Sequence, residues 1–377
     1  MENPAQDPMP SEKQTPHPRR LYKPVLFAML AALLFGLNAP VSKLLVQQIH
    51  PLFLASLLYL GAGLGMLAVG GLRRSAGAAG REPRLTRTEL PFVVLMVLLD
   101  IAAPVLLMFG LTLTNSSTAA LLGNFEIVAT ALFAMLLFRE SIGRRLWIAI
   151  GLITAASILL STGDLSAVRV SPGALLVLLA CVCWGIENNT TRRLSIKDPL
   201  QIVVIKGFGS GLGALAIALV WGSVSAPLGY ILAALLLGFV AYGLSIFFYV
   251  SAQRDLGAAR TSVYYASAPF IGVILSWIVL RDAISGVFLA ALGLMLLGAF
   301  LAASESHSHA HRHLALTHEH RHVHDDGHHG HVHADGFSGE HSHEHTHEPV
   351  EHDHAHLPDA HHRHGHDPSG AVPEKNG

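Results

Sequence analysis

Between residues 24 and 303 the chain returns ten times to an apolar run of about the length that crosses a lipid bilayer. A bilayer core is about 30 Å thick and takes about 20 residues of helix to span. The runs fall at about 24–46, 51–71, 89–111, 116–138, 146–162, 173–192, 201–222, 229–250, 261–280 and 285–303. Only 14% of the 377 residues are charged, against about 25% for a soluble domain. The expected fold is an all-α polytopic membrane protein of ten transmembrane helices with disordered termini.

Charge divides the chain in two. Residues 1–303 carry 21 Lys and Arg against 13 Asp and Glu, whereas 304–377 carry 4 against 13 and hold 23 of the 25 histidines. Residues 1–23, rich in Pro, Gln and charge, read as a disordered N-terminus. A cleaved signal peptide is set aside, because the first apolar run has a counterpart in the second half. Basic residues between runs set orientation. Arg73, Arg74, Arg81, Arg84, Arg87, Arg144, Arg145, Arg192, Arg193, Lys197, Arg254 and Arg260 fall on one side, and little beyond Arg169 and Arg281 on the other. Both termini are expected in the cytoplasm, and the membrane is expected to be a prokaryotic cytoplasmic (inner) membrane.

The runs repeat. Phe35-Gly36 matches Trp184-Gly185, Lys43 matches Arg192, and Gly61-Ala62-Gly63-Leu64-Gly65 matches Gly209-Ser210-Gly211-Leu212-Gly213. Arg139-Glu140 matches Arg281-Asp282, an offset that sets Glu126 on Ala268, beside Pro269. Five helices per half is an odd number, so the second half must enter the membrane inverted. Inverted repeats are a transporter architecture with the solute site near the midplane. The expected domains are repeats at 24–163 and 173–303, flanked by 1–23 and by a tail at 304–377. The glycine clusters read first as close helix packing.

These residues carry a resemblance. Phe35-Gly36-Leu37-Asn38-Ala39-Pro40-Val41-Ser42-Lys43, the stretch Asn115–Glu140 with its Arg-Glu turn, and Ile150-Gly151-Leu152 resemble the EamA-type pattern of the drug/metabolite transporter superfamily, with a second copy at Trp184–Arg193 and Leu256–Asp282. The resemblance covers about residues 24–303. It implies ten helices around a central cavity and movement, often outward, of small organic solutes such as amino acids or related metabolites. One departure stands out: the proline that often follows the acid of the fourth helix is replaced by Ile127, while the second copy has Pro269 without the acid. A proline kink is therefore expected in one half only.

Polar residues inside the apolar runs are the mechanistic candidates. An ionisable group at mid-membrane costs roughly 2.5 kcal/mol or more unless it faces protein or water. Glu126 and Asp100 lie near the middle of the fourth and third runs, both in the first half. Glu126, with Asp100 as alternative, is the expected proton carrier. Asn38, Asn124, Glu187, Asn188 and Asn189 offer hydrogen bonds to a polar solute, and Lys43 and Lys206 offer charge to a carboxylate. Against these stand structural readings: Lys43, near a helix end, snorkels to the interface, and Asn38 and Asn124 join helices. Cys181 and Cys183 read as packing residues, and the sequons at Asn115 and Asn189 as accidental. With no nucleotide-binding loop, HExxH or nucleophile elbow, neither an enzyme nor an ATP-driven pump is expected, and no cofactor for transport or nucleic-acid partner.

The tail alternates histidine with other residues: His307, His309, His311 and His313; His318, His320, His322 and His324; His328, His329, His331 and His333; His341, His343, His345 and His347; His352, His354 and His356; His361, His362, His364 and His366. Neutral imidazole suits divalent transition ions such as Zn, Ni or Co. Composition predicts a tail disordered without metal that binds such ions in the cytoplasm. At four ligands per ion it holds at most about five. Three functions compete: export of a small organic solute with a metal-responsive tail, transport of the metal itself, and a receptor or scaffold on a transporter fold. A metal path calls for His, Asp or Cys at helical spacing inside the helices, yet the interior runs hold no His and only two central acids.

Overall fold

The computed structural model describes residues 18–75, 85–138, 143–162, 171–194, 197–221, 224–303, 307–312, 316–322, 341–347 and 351–356; side chains of 18–22, 138, 162, 192–193, 253–260, 262–263, 303 and the tail lie outside this description. The helices are α1 (Pro18–Gly36), α2 (Asn38–Leu45), α3 (Pro51–Ser75), α4 (Leu90–Leu113), α5 (Ser116–Leu122), α6 (Phe125–Phe138), α7 (Arg144–Thr162), α8 (Pro172–Leu194), α9 (Pro199–Val220), α10 (Leu228–Leu237), α11 (Ser245–Tyr265), α12 (Ala268–Leu280) and α13 (Gly286–Ala303). A π-helical stretch, Gly238–Leu244, joins α10 to α11.

Local chemistry sets the helix ends. Pro199 takes the first position of α9, where its missing N–H is no loss, and the Asp198 carboxylate accepts from the Leu200 amide at 2.9 Å. Thr86 and Glu89 close a capping box around the 3-10 turn Arg87–Glu89 that leads into α4. Among the described residues, eight segments are long and apolar enough to span a membrane, while Ala268–Leu280 and Gly286–Ala302 are apolar but shorter. Large apolar side chains such as Leu98, Leu136, Leu219 and Phe300 stand outward, as lipid contact requires.

The larger helix contacts include α3 with α9, α4 with α8, α1 with α11, α7 with α13, α3 with the π-helical stretch, α6 with α8, α5 with α12, α1 with α12 and α4 with α9. Exchanging the matched runs of the two halves maps this set onto itself: three pairs join matched runs, and the other six swap two by two. Detail follows the same rule. A Cβ on Gly36 would stand 2.7 Å from Ile271 Cγ2, and one on the matched Gly185 would stand 2.5 Å from Cβ of Ala129, the match of Ile271. Where α3 meets α9, a Cβ on Gly63 would come within 3.0 Å of the Phe208 amide, and one on Gly207 would collide with the Gly63 backbone. Only glycine permits that approach.

Four expectations are corrected. The first run is not one helix, since α1 gives way to α2 at Leu37. No loop separates the eighth and ninth runs, because α11 continues to Tyr265 and the interruption comes at Ala266-Ser267. A helix break is not confined to the half with proline: α5 and α6 part at Gly123-Asn124, within one residue of the matching place. Each break has its own local partner, Asn124 Nδ2 donating to the Leu121 carbonyl at 3.0 Å and Ser267 Oγ to the Tyr264 carbonyl at 2.6 Å. Each side chain adds a second donor to a carbonyl that the break leaves bonded to the amide three residues on, Asn124 N–H at 3.2 Å and Ser267 N–H at 3.3 Å.

The fourth correction concerns the tail, where composition predicted no regular structure. Strand β1 (His307–Arg312) pairs antiparallel with β4 (Glu351–His356), and β2 (Leu316–His322) with β3 (His341–His347). The alternation of histidine has the period of a strand, and the register sets His309 opposite His354 and His320 opposite His343. The Arg139-Glu140 turn, Arg81, Arg84 and Arg169, and residues 1–17 fall outside the described residues.

Candidate functional site

Three residues from three helices meet in the interior. Asp100 comes from α4, Glu187 from α8 and Lys206 from α9, and all three are buried. Lys206 Nζ lies 2.7 Å from Glu187 Oε1 and 3.3 Å from Asp100 Oδ2. The first is a charge-assisted hydrogen bond; the second is an ion-pair distance without hydrogen-bond geometry, and Asp100 Oδ2 has no hydrogen-bond partner. Tyr59 on α3 donates to Asp100 Oδ1 at 2.8 Å, and Thr191 donates to Glu187. Two carboxylates thus face one ammonium in a medium where unpaired charge costs several kcal/mol, of order 3–5 when one partner is removed.

The cluster ties the two halves together, since Tyr59 and Asp100 belong to the first and Glu187 and Lys206 to the second. Next to it, the Tyr59 and Tyr242 rings lie 5.1 Å apart, and Asn38 Nδ2 donates to the Tyr242 hydroxyl at 2.9 Å. Asn38 also accepts from Ser42 at 3.0 Å. Tyr242 sits in the π-helical stretch, an irregularity that recurs at functional sites.

Glu126 is placed differently. It sits in the first turn of α6, just past the break, and is partly accessible. Asn188 Nδ2, from α8, donates to it at 2.6 Å and reaches Thr130 Oγ1 at 3.3 Å. Among the described residues no cation bonds to Glu126. One turn back from Asn188 on α8, Trp184 meets Phe35 edge-on at 6.3 Å, and Phe35 meets Tyr265 at 5.7 Å. Asn189 holds α8 to α6 through the Thr130 carbonyl at 3.0 Å.

The structure therefore brings Asp100, Glu187 and Lys206 together, sets Glu126 with Asn188, and assigns Asn38 to Tyr242. Asn124 is a correction: it bonds within its own chain break rather than across helices, and among the described residues its buried Oδ1 has no partner. Lys43 is another. Its ammonium donates to the Leu111 and Thr114 carbonyls, at 2.8 Å for Thr114, and so closes the end of α4 instead of snorkelling. Asp282 does the converse for α5, accepting from the Ser117 amide and hydroxyl at 2.9 Å each. Sequence reasoning missed Tyr59, Tyr242, Thr130 and Thr191. A hydroxyl-bearing ring inside an apolar run is the signal that marked both tyrosines, because such a group needs a partner there. The histidines of the tail lie outside the described side chains.

Comparison with known proteins agrees with this architecture. A transporter of Methanothermobacter thermautotrophicus, described as uncharacterized, is 28% identical over 269 residues, covering 68% of this chain and 78% of its own. A protein of known crystal structure, 19% identical, matches 74% of this chain and 95% of its own with a TM-score of 0.55, a likeness of fold alone. Residues 22–162 and 171–304 each match the EamA-like transporter family. With two copies spanning both helical halves, the chain belongs to the EamA-like transporter family.

Proposed function

We propose that this membrane transporter is a secondary exporter of a small organic metabolite, amino acid-like or related, built from ten spans in two inverted five-helix halves. The shorter helices α12 and α13 supply the ninth and tenth spans. The self-mapping of the helix contacts supports the repeat, and the odd number of spans per half supports the inversion. Both termini then lie in the cytoplasm of a prokaryotic cell.

The observation that carries the reading is the buried cluster of Asp100, Glu187 and Lys206 across the two halves, beside the accessible Glu126. Such groups are retained in a membrane interior where they move or bind something. The cluster has one acid more than it has cations. A proton on Asp100 would leave Glu187 and Lys206 as a balanced pair, so Asp100 is the preferred coupling group of the two acids first considered. Transport of metal as the substrate is disfavoured, because the two fully buried acids converge on an ammonium that occupies the place a cation would take. The tail is proposed to bind Zn, Ni or Co and to make transport responsive to metal load.

The test is mass spectrometry of cells and medium, with and without the protein, at low and high zinc. An organic solute depleted from cells and enriched in medium is expected, with a zinc-dependent extent. A change in cellular metal with no organic solute moved would overturn the reading. Cysteines placed at Ser285 and Gly143 should react with impermeant reagent from opposite sides; labelling from one side would remove the inversion.

A further inference from the structure

Resting on the transporter reading, and narrowing its amino acid-like or related solute to a relative that lacks the carboxylate, we infer that the Glu126 site takes a cationic amine carrying an apolar or aromatic group, and not a carboxylate or a zwitterion. The argument begins with what Lys206 cannot do. Its ammonium already serves Glu187 at 2.7 Å and Asp100 at 3.3 Å. A solute carboxylate placed there would be a third negative group around one buried cation. Lys43 is equally committed, to the Leu111 and Thr114 carbonyls. Neither interior lysine is left to receive an acid.

Glu126 presents the opposite chemistry. The residue is partly accessible, and among the described residues the one hydrogen-bond partner of its carboxylate is the neutral amide of Asn188. A carboxylate accepts several hydrogen bonds, so acceptor capacity remains for an ammonium. A chain of rings from three helices begins one turn from its partner Asn188. Trp184 lies one turn from Asn188 on the same face of α8, Phe35 of α1 lies 6.3 Å from Trp184, and Tyr265 of α11 lies 5.7 Å from Phe35. Trp184, Phe35 and Tyr265 are all partly accessible. A carboxylate with aromatic rings close by suits an organic cation: the acid neutralises the charge, and the rings attract the ammonium and cover the apolar part.

The inference is tested with three probes that share one phenol ring and differ in charge: tyramine, tyrosine and 4-hydroxyphenylacetate. Binding of each radiolabelled probe is measured on the purified full chain in lipid nanodiscs. Tyramine should bind at least about tenfold more tightly than either of the others. Glu126→Gln and Trp184→Ala should each weaken tyramine by about tenfold or more, and Glu126→Asp, which keeps the charge, should bind it within tenfold of the native chain. Retained affinity in Glu126→Gln, or tyrosine or 4-hydroxyphenylacetate binding as well as tyramine, overturns the inference. So does the absence of binding by all three when metabolite profiling shows an organic solute moved, an outcome that leaves the transporter reading standing. If profiling shows no organic solute moved, the transporter reading itself falls.

Discussion

Asp100 and Glu126 are both acids deep in the first half, yet the protein surrounds them in opposite ways. Asp100 is closed off by Tyr59 and Lys206, with 1% of its surface exposed. Glu126 stands past a helix break, reachable, with an amide for company. Equal depth therefore does not mean equal role. An acid bound into a charged cluster that spans both halves is suited to holding the halves and exchanging a proton. A partly accessible acid with no bonded cation among the described residues is suited to meeting a solute.

The sharpest way to break this contrast is to remove Lys206. Lys206→Met leaves two buried carboxylates facing each other, and should cost about 3–5 kcal/mol in denaturant unfolding of the purified protein in lipid. Asp100→Asn with Glu187→Gln in the same chain should recover much of that loss. Native stability of Lys206→Met alone would show that the cluster is not the junction described. Tyr59→Phe removes one donor to Asp100 and should cost about 1.5–3 kcal/mol by the same measurement. Glu126→Gln should behave in the reverse manner, changing stability by about 1 kcal/mol or less while transport falls at least about tenfold. A Glu126→Gln protein that unfolds as readily as Lys206→Met would erase the distinction between the two acids. The smallest effect is expected from ending the chain after Ser304: transport in metal-free buffer should match that of the full chain, and the response to zinc should be lost. A truncated protein with unchanged zinc response would separate the tail from regulation.

Much of the fold was legible because a bilayer leaves few choices. The expected runs and the observed spans agree to within a few residues over most of their length, and glycine matches such as Gly36 with Gly185 proved to be matched contacts as well. The breaks were not legible. Proline was the only break signal considered, whereas Gly123-Asn124 interrupts its helix without one, the Asn124 side-chain amide adding a donor to the Leu121 carbonyl. For the site, depth alone marked Asp100, Glu126, Glu187 and Lys206 one by one. That three of them share one cluster could not be read, because α4, α8 and α9 meet only through packing between residues far apart in sequence. Tyr59 was missed for the same reason, its hydroxyl having no visible partner until Asp100 of α4 is set beside it.

The most direct test of coupled transport uses liposomes holding the purified protein and an internal pH-sensitive dye, with the solute that metabolite profiling identifies. Adding a solute gradient should drive protons in the opposite direction in the native protein. In Asp100→Asn the solute should still exchange across the membrane while the proton signal disappears. Solute movement by the native protein with no proton signal, or an undiminished signal in Asp100→Asn, would contradict the account.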